Sequence, residues 1–160
     1  MSSEISEGLY ILNEMENPAR TVSCAEALLQ IKKDGGYVRI GTHHPLRHGC
    51  DTLFGLGLVS RTIAIRGGDS YHLKEEGKRI AEAVEKERTI EKIFIRALDA
   101  RNRNVRIFKK EMPYFTELLD GGYFKEQDRN YILTPEGYKE ALNMEEQRKF
   151  REDIERMNFF

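Results

Sequence analysis

The sequence predicts an α+β chain, mainly α, that is built from two tandem copies of one supersecondary unit and ends in a long helix. Five residues recur at a constant separation of sixty positions, and helix-like apolar stripes alternate with short β-prone segments. The recurring pairs are Tyr71 and Tyr131, Leu73 and Leu133, Glu76 and Glu136, Gly77 and Gly137, and Ala81 and Ala141. We place the two domains at residues 1–87 and 88–160.

Composition favours a folded, helix-rich protein. Charged residues make up 33% and apolar residues 39% of the chain, and no apolar run approaches the about 20 residues that cross a bilayer. The N-terminus lacks the basic and apolar regions of a signal peptide. Cys24 and Cys50 both fall on predicted apolar helix faces, which favours buried thiols over a disulfide framework. We therefore expect a cytoplasmic protein.

The first unit is predicted to contain helices at residues 4–16, 24–33 and 44–56, each with apolar residues at helical spacing. Asn17-Pro18 is expected to end the first helix, and Ser23 with Glu26 forms a capping-box pattern at the start of the second. Residues 37–40 are β-prone but have no predicted partner. Residues 58–65 and 70–73 are predicted to pair as a hairpin, and a fourth helix follows.

The second unit is predicted to open with an apolar helical stripe at residues 90–98 and a short helix at 104–110. Pro113 suits the first turn of a further helix. A hairpin at 123–133 is expected to turn around Asp128-Arg129-Asn130. Thr134 and Pro135 supply the N-cap and first position of a last helix, predicted at 135–156.

The residues at the two hairpin-to-helix junctions of the repeat are predicted to have a structural role. Tyr71 and Leu73 alternate onto one strand face and are expected to hold the hairpin against the helices. Gly77 and Gly137 lie one turn into the helices that follow the two hairpins, where a missing Cβ permits a neighbouring backbone to approach closely.

The segment Leu53-Phe54-Gly55-Leu56-Gly57-Leu58-Val59-Ser60-Arg61, followed by Tyr71-His72-Leu73-Lys74-Glu75-Glu76-Gly77, resembles winged helix-turn-helix transcription regulators, including those of the MarR and PadR type. The resemblance covers residues 5–87 well and 90–142 more loosely. It implies a recognition helix, a β-hairpin wing and DNA binding. Two features depart from the pattern: residues 34–43 make a long connection, and Lys74 stands where threonine is usual.

The third predicted helix is the candidate reader of a DNA major groove, which is wide enough to admit a helix. With Leu46, Cys50 and Leu53 facing the core, the residues expected to face outward are Arg47, His48, Asp51 and Thr52. In the first wing, Arg61 and Arg66 flank the turn and resemble arginines that wings place beside the minor groove. The alternative for the third helix is a face that is merely solvated, and the alternative for the wing is a tight turn flanked by charged residues.

The most basic decapeptide lies at residues 101–110, with five basic and no acidic side chains. These cations are expected to contact phosphate: Arg101, Arg103, Arg106, Lys109 and Lys110. An exposed loop that neutralises the acidic C-terminal half is the alternative. In the equivalent of the recognition helix in the second unit, Thr116, Glu117 and Asp120 are expected to face outward and repel phosphate, so this unit is interpreted as a packing or dimerisation module.

The last helix carries apolar residues that we expect to form a homodimer interface: Leu142, Phe150, Ile154 and Met157. Packing back onto the chain's own N-terminal helix is the alternative. His43, His44, His48 and Cys50 are competent metal ligands, but their spacing matches no standard zinc motif. Neither a nucleophile–base constellation nor a phosphate-cradling glycine loop is present in the sequence, so we predict no enzyme activity and no cofactor.

Taken together, these patterns predict a sequence-specific double-stranded DNA-binding protein that acts as a homodimeric transcription regulator. The alternative from a different class is a protein–protein interaction scaffold built from tandem winged helices that binds no nucleic acid. A ligand- or metal-responsive regulator is a third possibility.

Overall fold

A computed structural model of the chain describes residues 12, 15, 17–100 and 104–158. The described chain is mainly helical and holds two small antiparallel sheets and a long C-terminal helix. It divides into two compact units, of which the first comprises the described residues through Glu85 with the chain from Asp153, and the second comprises Lys86–Glu152. The helix predicted at 4–16 lies outside the described residues, apart from isolated positions.

The first unit is built from helix α1 (Pro18–Lys33), strand β1 (Tyr37–Ile40), helix α2 (Arg47–Gly55) and the hairpin strands β2 (Val59–Thr62) and β3 (Asp69–Leu73). Helix α3 (Glu75–Asp99) begins here. The three strands form an antiparallel sheet in the order β1-β3-β2, with Val38 and Arg61 both opposite Tyr71. The apolar faces of the helices and the sheet enclose one core.

Helix α1 starts six residues before its predicted start. Asn17 caps it, since its side chain accepts a hydrogen bond from the Ala19 N–H at 3.0 Å, and Pro18 occupies the first turn. Asn17-Pro18 is therefore the start of α1, and Ser23 with Glu26 is not its N-terminal cap. The end of the preceding helix, predicted at the same two residues, depends on positions outside those described. The prediction failed because two cap patterns lie within one helix length and only tertiary packing chooses between them.

The second unit contains the remainder of α3, a 3₁₀ turn (Lys109–Glu111), helix α4 (Met112–Asp120), strands β4 (Phe124–Gln127) and β5 (Asn130–Leu133), and most of helix α5 (Pro135–Asn158). The hairpin turns at Asp128 and Arg129, whose φ angles of 53° and 66° match the two-residue turn that such hairpins favour. The predicted cap of α5 is confirmed, because the Thr134 hydroxyl oxygen accepts the Gly137 N–H at 3.1 Å. The helix predicted over 104–110 is wrong, since only the 3₁₀ turn at its end is helical.

The prediction that Gly77 and Gly137 permit close backbone approach is confirmed. A Cβ on Gly77 would lie 2.0 Å from the carbonyl oxygen of Leu58, and one on Gly137 would lie 1.9 Å from that of Tyr123. Each of these oxygens also accepts a backbone hydrogen bond at 3.1 Å, from Lys74 and Thr134 respectively. The sequence repeat thus reproduces the same hairpin-to-helix junction in both units.

The structural repeat includes residues upstream of the five recurring pairs, among them Gly57 and Gly122, which the sequence also aligns when the first hairpin is five residues longer. Gly57 and Gly122 both have positive φ, 77° and 79°, directly after the short helices α2 and α4. The Val105 N–H donates to the Tyr131 carbonyl at 3.1 Å, so this segment lies beside β5 much as β1 lies beside β3. Each unit therefore has a helix, an extended segment, a short helix, a hairpin and a further helix.

Candidate nucleic-acid interface

Helix α2 is fixed against α1 by a close crossing at Gly49. A Cβ at Gly49 would lie 2.5 Å from the carbonyl oxygen of Ser23 in α1. Cys50 and Leu53 face the core, and Cys24 of α1 lies opposite, with its thiol 4.0 Å from the Gly49 carbonyl. The buried thiols that the sequence predicts are confirmed.

The exposed edge of α2 is tied to the hairpin by Asp51. Its carboxylate accepts hydrogen bonds from Arg47 Nε at 3.1 Å, from Arg61 Nη1 at 3.3 Å and from the Tyr71 hydroxyl. Arg47 also donates from Nη2 to Asp69 Oδ2 at 2.6 Å. Two arginines and two aspartates therefore balance in charge around one tyrosine, which we call the Asp51 network.

The pKa values in the Asp51 network follow from these contacts. Burial favours the neutral carboxyl, but hydrogen bonds from Tyr71 and Arg47 outweigh it and hold the pKa of Asp51 below its ordinary value. Burial and the hydrogen bond to Asp51 raise the pKa of Tyr71 to about 12. These hydrogen bonds connect the hairpin to α2 through the Asp51 carboxylate.

Two of the predicted DNA-contacting arginines therefore have protein partners. Arg47 is partly buried rather than outward-facing, and Arg61 stacks its guanidinium over the Phe54 ring at 4.6 Å while pairing with Asp51. His48 is exposed as predicted. Thr52 is half-buried, and its hydroxyl donates to the His48 carbonyl at 2.9 Å. Sequence periodicity placed Arg47 on the outer face but could not show that Asp69, on a distant strand, reaches it.

Arg66 is exposed at the tip of the β2–β3 hairpin. Arg39 of β1, which the sequence did not single out, donates from Nη2 to the Arg66 carbonyl at 2.6 Å and lies beside Gly67. Both arginines are exposed, so the tip carries two cations. Arg39 was missed because its role depends on the pairing of β1 with β3, for which the sequence offers no local signal.

The basic segment of the second unit is described from Asn104, and Arg101 and Arg103 lie outside the described residues. Arg106, Lys109 and Lys110 are exposed as phosphate contacts require. The guanidinium carbons of Arg96 and Arg106 lie 4.7 and 5.5 Å from the centroid of the Phe108 ring. The segment is thus held by an aromatic side chain rather than being a free loop.

A buried ion pair anchors the end of this segment. Arg96 forms two hydrogen bonds of 2.8 Å to the carboxylate of Glu111, which also accepts the Phe108 N–H at 3.0 Å. The hydrogen bonds from Arg96 hold the pKa of Glu111 below its ordinary value despite burial. On α4, Thr116, Glu117 and Asp120 are exposed as predicted.

The predicted dimer residues of α5 divide into two groups. Leu142, Phe150 and Met157 are 45%, 59% and 74% exposed. Ile154 is only 8% exposed within the chain, so it offers little surface to a partner, and its assignment to a dimer interface stays a prediction. A stripe of apolar residues alone cannot show which of its members the chain itself covers.

The candidate metal ligands do not converge. His44 Nδ1 accepts the Leu46 N–H at 3.1 Å, Cys50 is buried, and His43 and His48 are exposed. Within the described ranges, no group of three or more His, Cys, Asp or Glu side chains is arranged to hold a metal ion. None of the described helices combines the length and apolarity needed to cross a membrane.

Open cavities on the described surface include one in each unit. One of about 280 Å³ in the first unit lies between the start of α1 and the start of α2, beside Arg20, Ser23 and His48. The other, of about 510 Å³, lies in the second unit beside Leu133, Tyr138 and Leu142. Neither holds a cluster of catalytic groups.

No protein-family model, curated protein or solved structure matches this chain.

Proposed function

We propose that the chain is a sequence-specific double-stranded DNA-binding protein that regulates transcription as a homodimer, and that each unit is a winged helix. The observation that carries the proposal is the combination of a tightly crossed helix pair, α1 and α2, with a β1-β3-β2 sheet whose β2–β3 hairpin is tied to α2. The link from this arrangement to DNA is an analogy of fold, supported by the exposed cations of the hairpin.

In this proposal α2 enters the major groove and the hairpin contacts the adjacent backbone. His48 is the exposed side chain of α2 that can donate to a base edge, while Arg39 and Arg66 approach phosphates from the hairpin. Arg47 and Arg61 take a positioning role, because their guanidinium groups already bind Asp51. The Asp51 network then presents helix and wing as one preformed surface, which lowers the ordering cost of binding.

The second unit contributes differently. Its short helix α4 exposes Glu117 and Asp120, which repel phosphate, whereas Arg106, Lys109 and Lys110 form an exposed basic segment. We assign the unit to subunit association, with Leu142, Phe150 and Met157 of α5 as the exposed apolar residues that a partner copy covers.

The proposal is tested by fluorescence anisotropy with a random-sequence duplex across a salt series. Wild-type affinity should fall with salt, because each phosphate contact releases counterions, and Arg39→Ala and Arg66→Ala should each reduce the log–log slope by about 1. Lys125→Ala, which removes an exposed cation from β4, is the matched control and should leave the slope unchanged. Absence of binding at low salt would reject the proposal.

One observation favours the interaction scaffold as a second candidate. The arginines of the candidate recognition surface, Arg47 and Arg61, are neutralised by Asp51 and Asp69, and Phe54 and Leu56 at the end of α2 are exposed. A surface of this kind suits a protein partner as well as a phosphate backbone. Failure of the duplex assay with retention of a single folded species would favour this second function.

A further inference from the structure

The β2–β3 hairpin exposes two isoleucines at its tip, residues 63–68. Ile63 is 71% exposed and Ile65 is 103% exposed. Single exposed apolar side chains are ordinary, but two alternate residues at the end of a projecting hairpin form an apolar point. The other tip residues are Ala64, Arg66, Gly67 and Gly68, so the tip contains no carboxylate.

The tip is held from behind by the rest of the sheet. Arg39 bonds the Arg66 carbonyl at 2.6 Å, and the Ala64 N–H approaches Asp69 Oδ1 at 3.4 Å. A Cβ on Gly68 would lie 2.4 Å from the Ile40 carbonyl oxygen, so the returning strand passes directly against β1. Ile65 is therefore presented on a braced turn.

The shape and charge of the tip suit a narrow, negatively charged groove. Gly67 and Gly68 add no side chains to the turn, although Arg39 and the Ile40 carbonyl occupy the space that their Cβ atoms would fill, and their φ angles of 84° and 89° are readily available only to glycine. Asp69 is buried and paired with Arg47, so the exposed charges of the tip are the cations Arg39 and Arg66. The DNA minor groove is about 6 Å wide, and proteins that enter it combine arginine with apolar wedges.

We infer that the hairpin tip enters the minor groove and that Ile65 inserts between neighbouring base pairs, unstacking and kinking the duplex. Arg66 lies beside the wedge and contacts the groove or its phosphates. The cost of unstacking is lowest at flexible pyrimidine–purine steps, so the wedge favours TA-containing sites without reading them by hydrogen bonds. The inference rests on the proposed DNA binding and specifies how the hairpin contributes to it.

The test measures binding and bending separately on one duplex of about 25 base pairs with central TA steps. Anisotropy reports binding, energy transfer between dyes on the two ends reports bending, and 2-aminopurine beside the TA step reports unstacking. The variants are Ile65→Ala, which shortens the wedge, and Ile65→Val, which retains most of it. Met112→Ala, at an exposed methionine of the second unit that has no proposed contact with DNA or a partner copy, is the control for loss of an apolar side chain.

We expect wild-type protein, Ile65→Val and Met112→Ala to increase energy transfer and 2-aminopurine fluorescence on binding. Ile65→Ala should bind within about ten-fold of wild type but lose most of both signals, because the unstacking energy is no longer repaid. Since Ile65 is fully exposed, its variants should unfold at the wild-type urea midpoint.

The outcomes separate the two proposals. The wedge is overturned, and DNA binding retained, if Ile65→Ala binds and bends the duplex as wild type does. The same conclusion follows if wild-type protein binds the duplex without bending it. A tip that docks a protein would give one of these two results. No anisotropy change at low salt rejects DNA binding itself, and the wedge with it.

Discussion

Substitution of Gly77 by alanine provides a direct test of how the hairpin meets the following helix. The new Cβ would lie 2.0 Å from the Leu58 carbonyl oxygen, so this backbone has to retreat by about 1 Å or more to reach an ordinary contact. The same oxygen accepts the Lys74 N–H at 3.1 Å, and the displacement weakens that bond.

The expected loss of stability is worked from three contributions. Overpacking costs about 1–3 kcal/mol, and the weakened hydrogen bond costs about 1 kcal/mol. Alanine regains about 1 kcal/mol over glycine in a helix. We therefore expect Gly77→Ala to lower the free energy of unfolding by about 1–3 kcal/mol. Gly137→Ala should behave alike in the second unit, where the clash with Tyr123 is at 1.9 Å.

The assay is urea unfolding followed by far-UV circular dichroism and tyrosine fluorescence. Gly55→Ala is the matched control, because no atom lies within 4 Å of a Cβ there. It should raise the free energy of unfolding by about 0.4–1 kcal/mol, because alanine gives the unfolded chain less conformational entropy than glycine does. The reasoning is refuted if Gly77→Ala is as stable as wild type or if Gly55→Ala is destabilised to the same extent.

Three further predictions concern titratable groups. The pKa of Asp51 is lower in the folded state than in the unfolded chain, so its contribution to the free energy of unfolding is present above the unfolded pKa of about 3.9 and is lost as pH falls through the folded value. The free energy of unfolding should therefore fall less steeply with decreasing pH in Asp51→Asn than in wild type. Burial raises the pKa of Glu87 to about 7, so stability should fall as pH rises from about 4.3 to 7, and Glu87→Gln should remove this slope in urea midpoints. Burial raises the pKa of Cys24 to about 11 and that of Cys50 to about 12, so an aromatic disulfide reagent at pH 8 should label both thiols rapidly only in denaturant; fast labelling of native protein would contradict their burial.

Local chemistry made some elements predictable. The Thr134 cap, the Asp128-Arg129 turn and the close approach at Gly137 each depend on a few neighbouring residues whose φ preferences and hydrogen-bonding groups favour one conformation.

Elements that depend on distant partners were missed. Residues 37–40 became a strand because β3 supplies their hydrogen bonds, and β3 lies some thirty residues away. The predicted break between the fourth helix and the stripe at 90–98 is absent, and α3 continues from Glu75 to Asp99. Residues 78–99 include no glycine or proline that would have ended the helix, so the periodicity of each half was correct but their separation was not.

By itself the sequence determined the repeat, the order of most helices and hairpins, and the positions where only glycine fits, since these follow from backbone preferences and short-range periodicity. Only the tertiary structure decided which of the side chains expected to be exposed are available to contact a partner. It joined Arg47 and Arg61 to Asp51, buried Ile154, and left Ile65 and Arg66 at a braced hairpin tip. A side chain's availability depends on the charges and surfaces that folding brings beside it, and these come from residues far away along the chain.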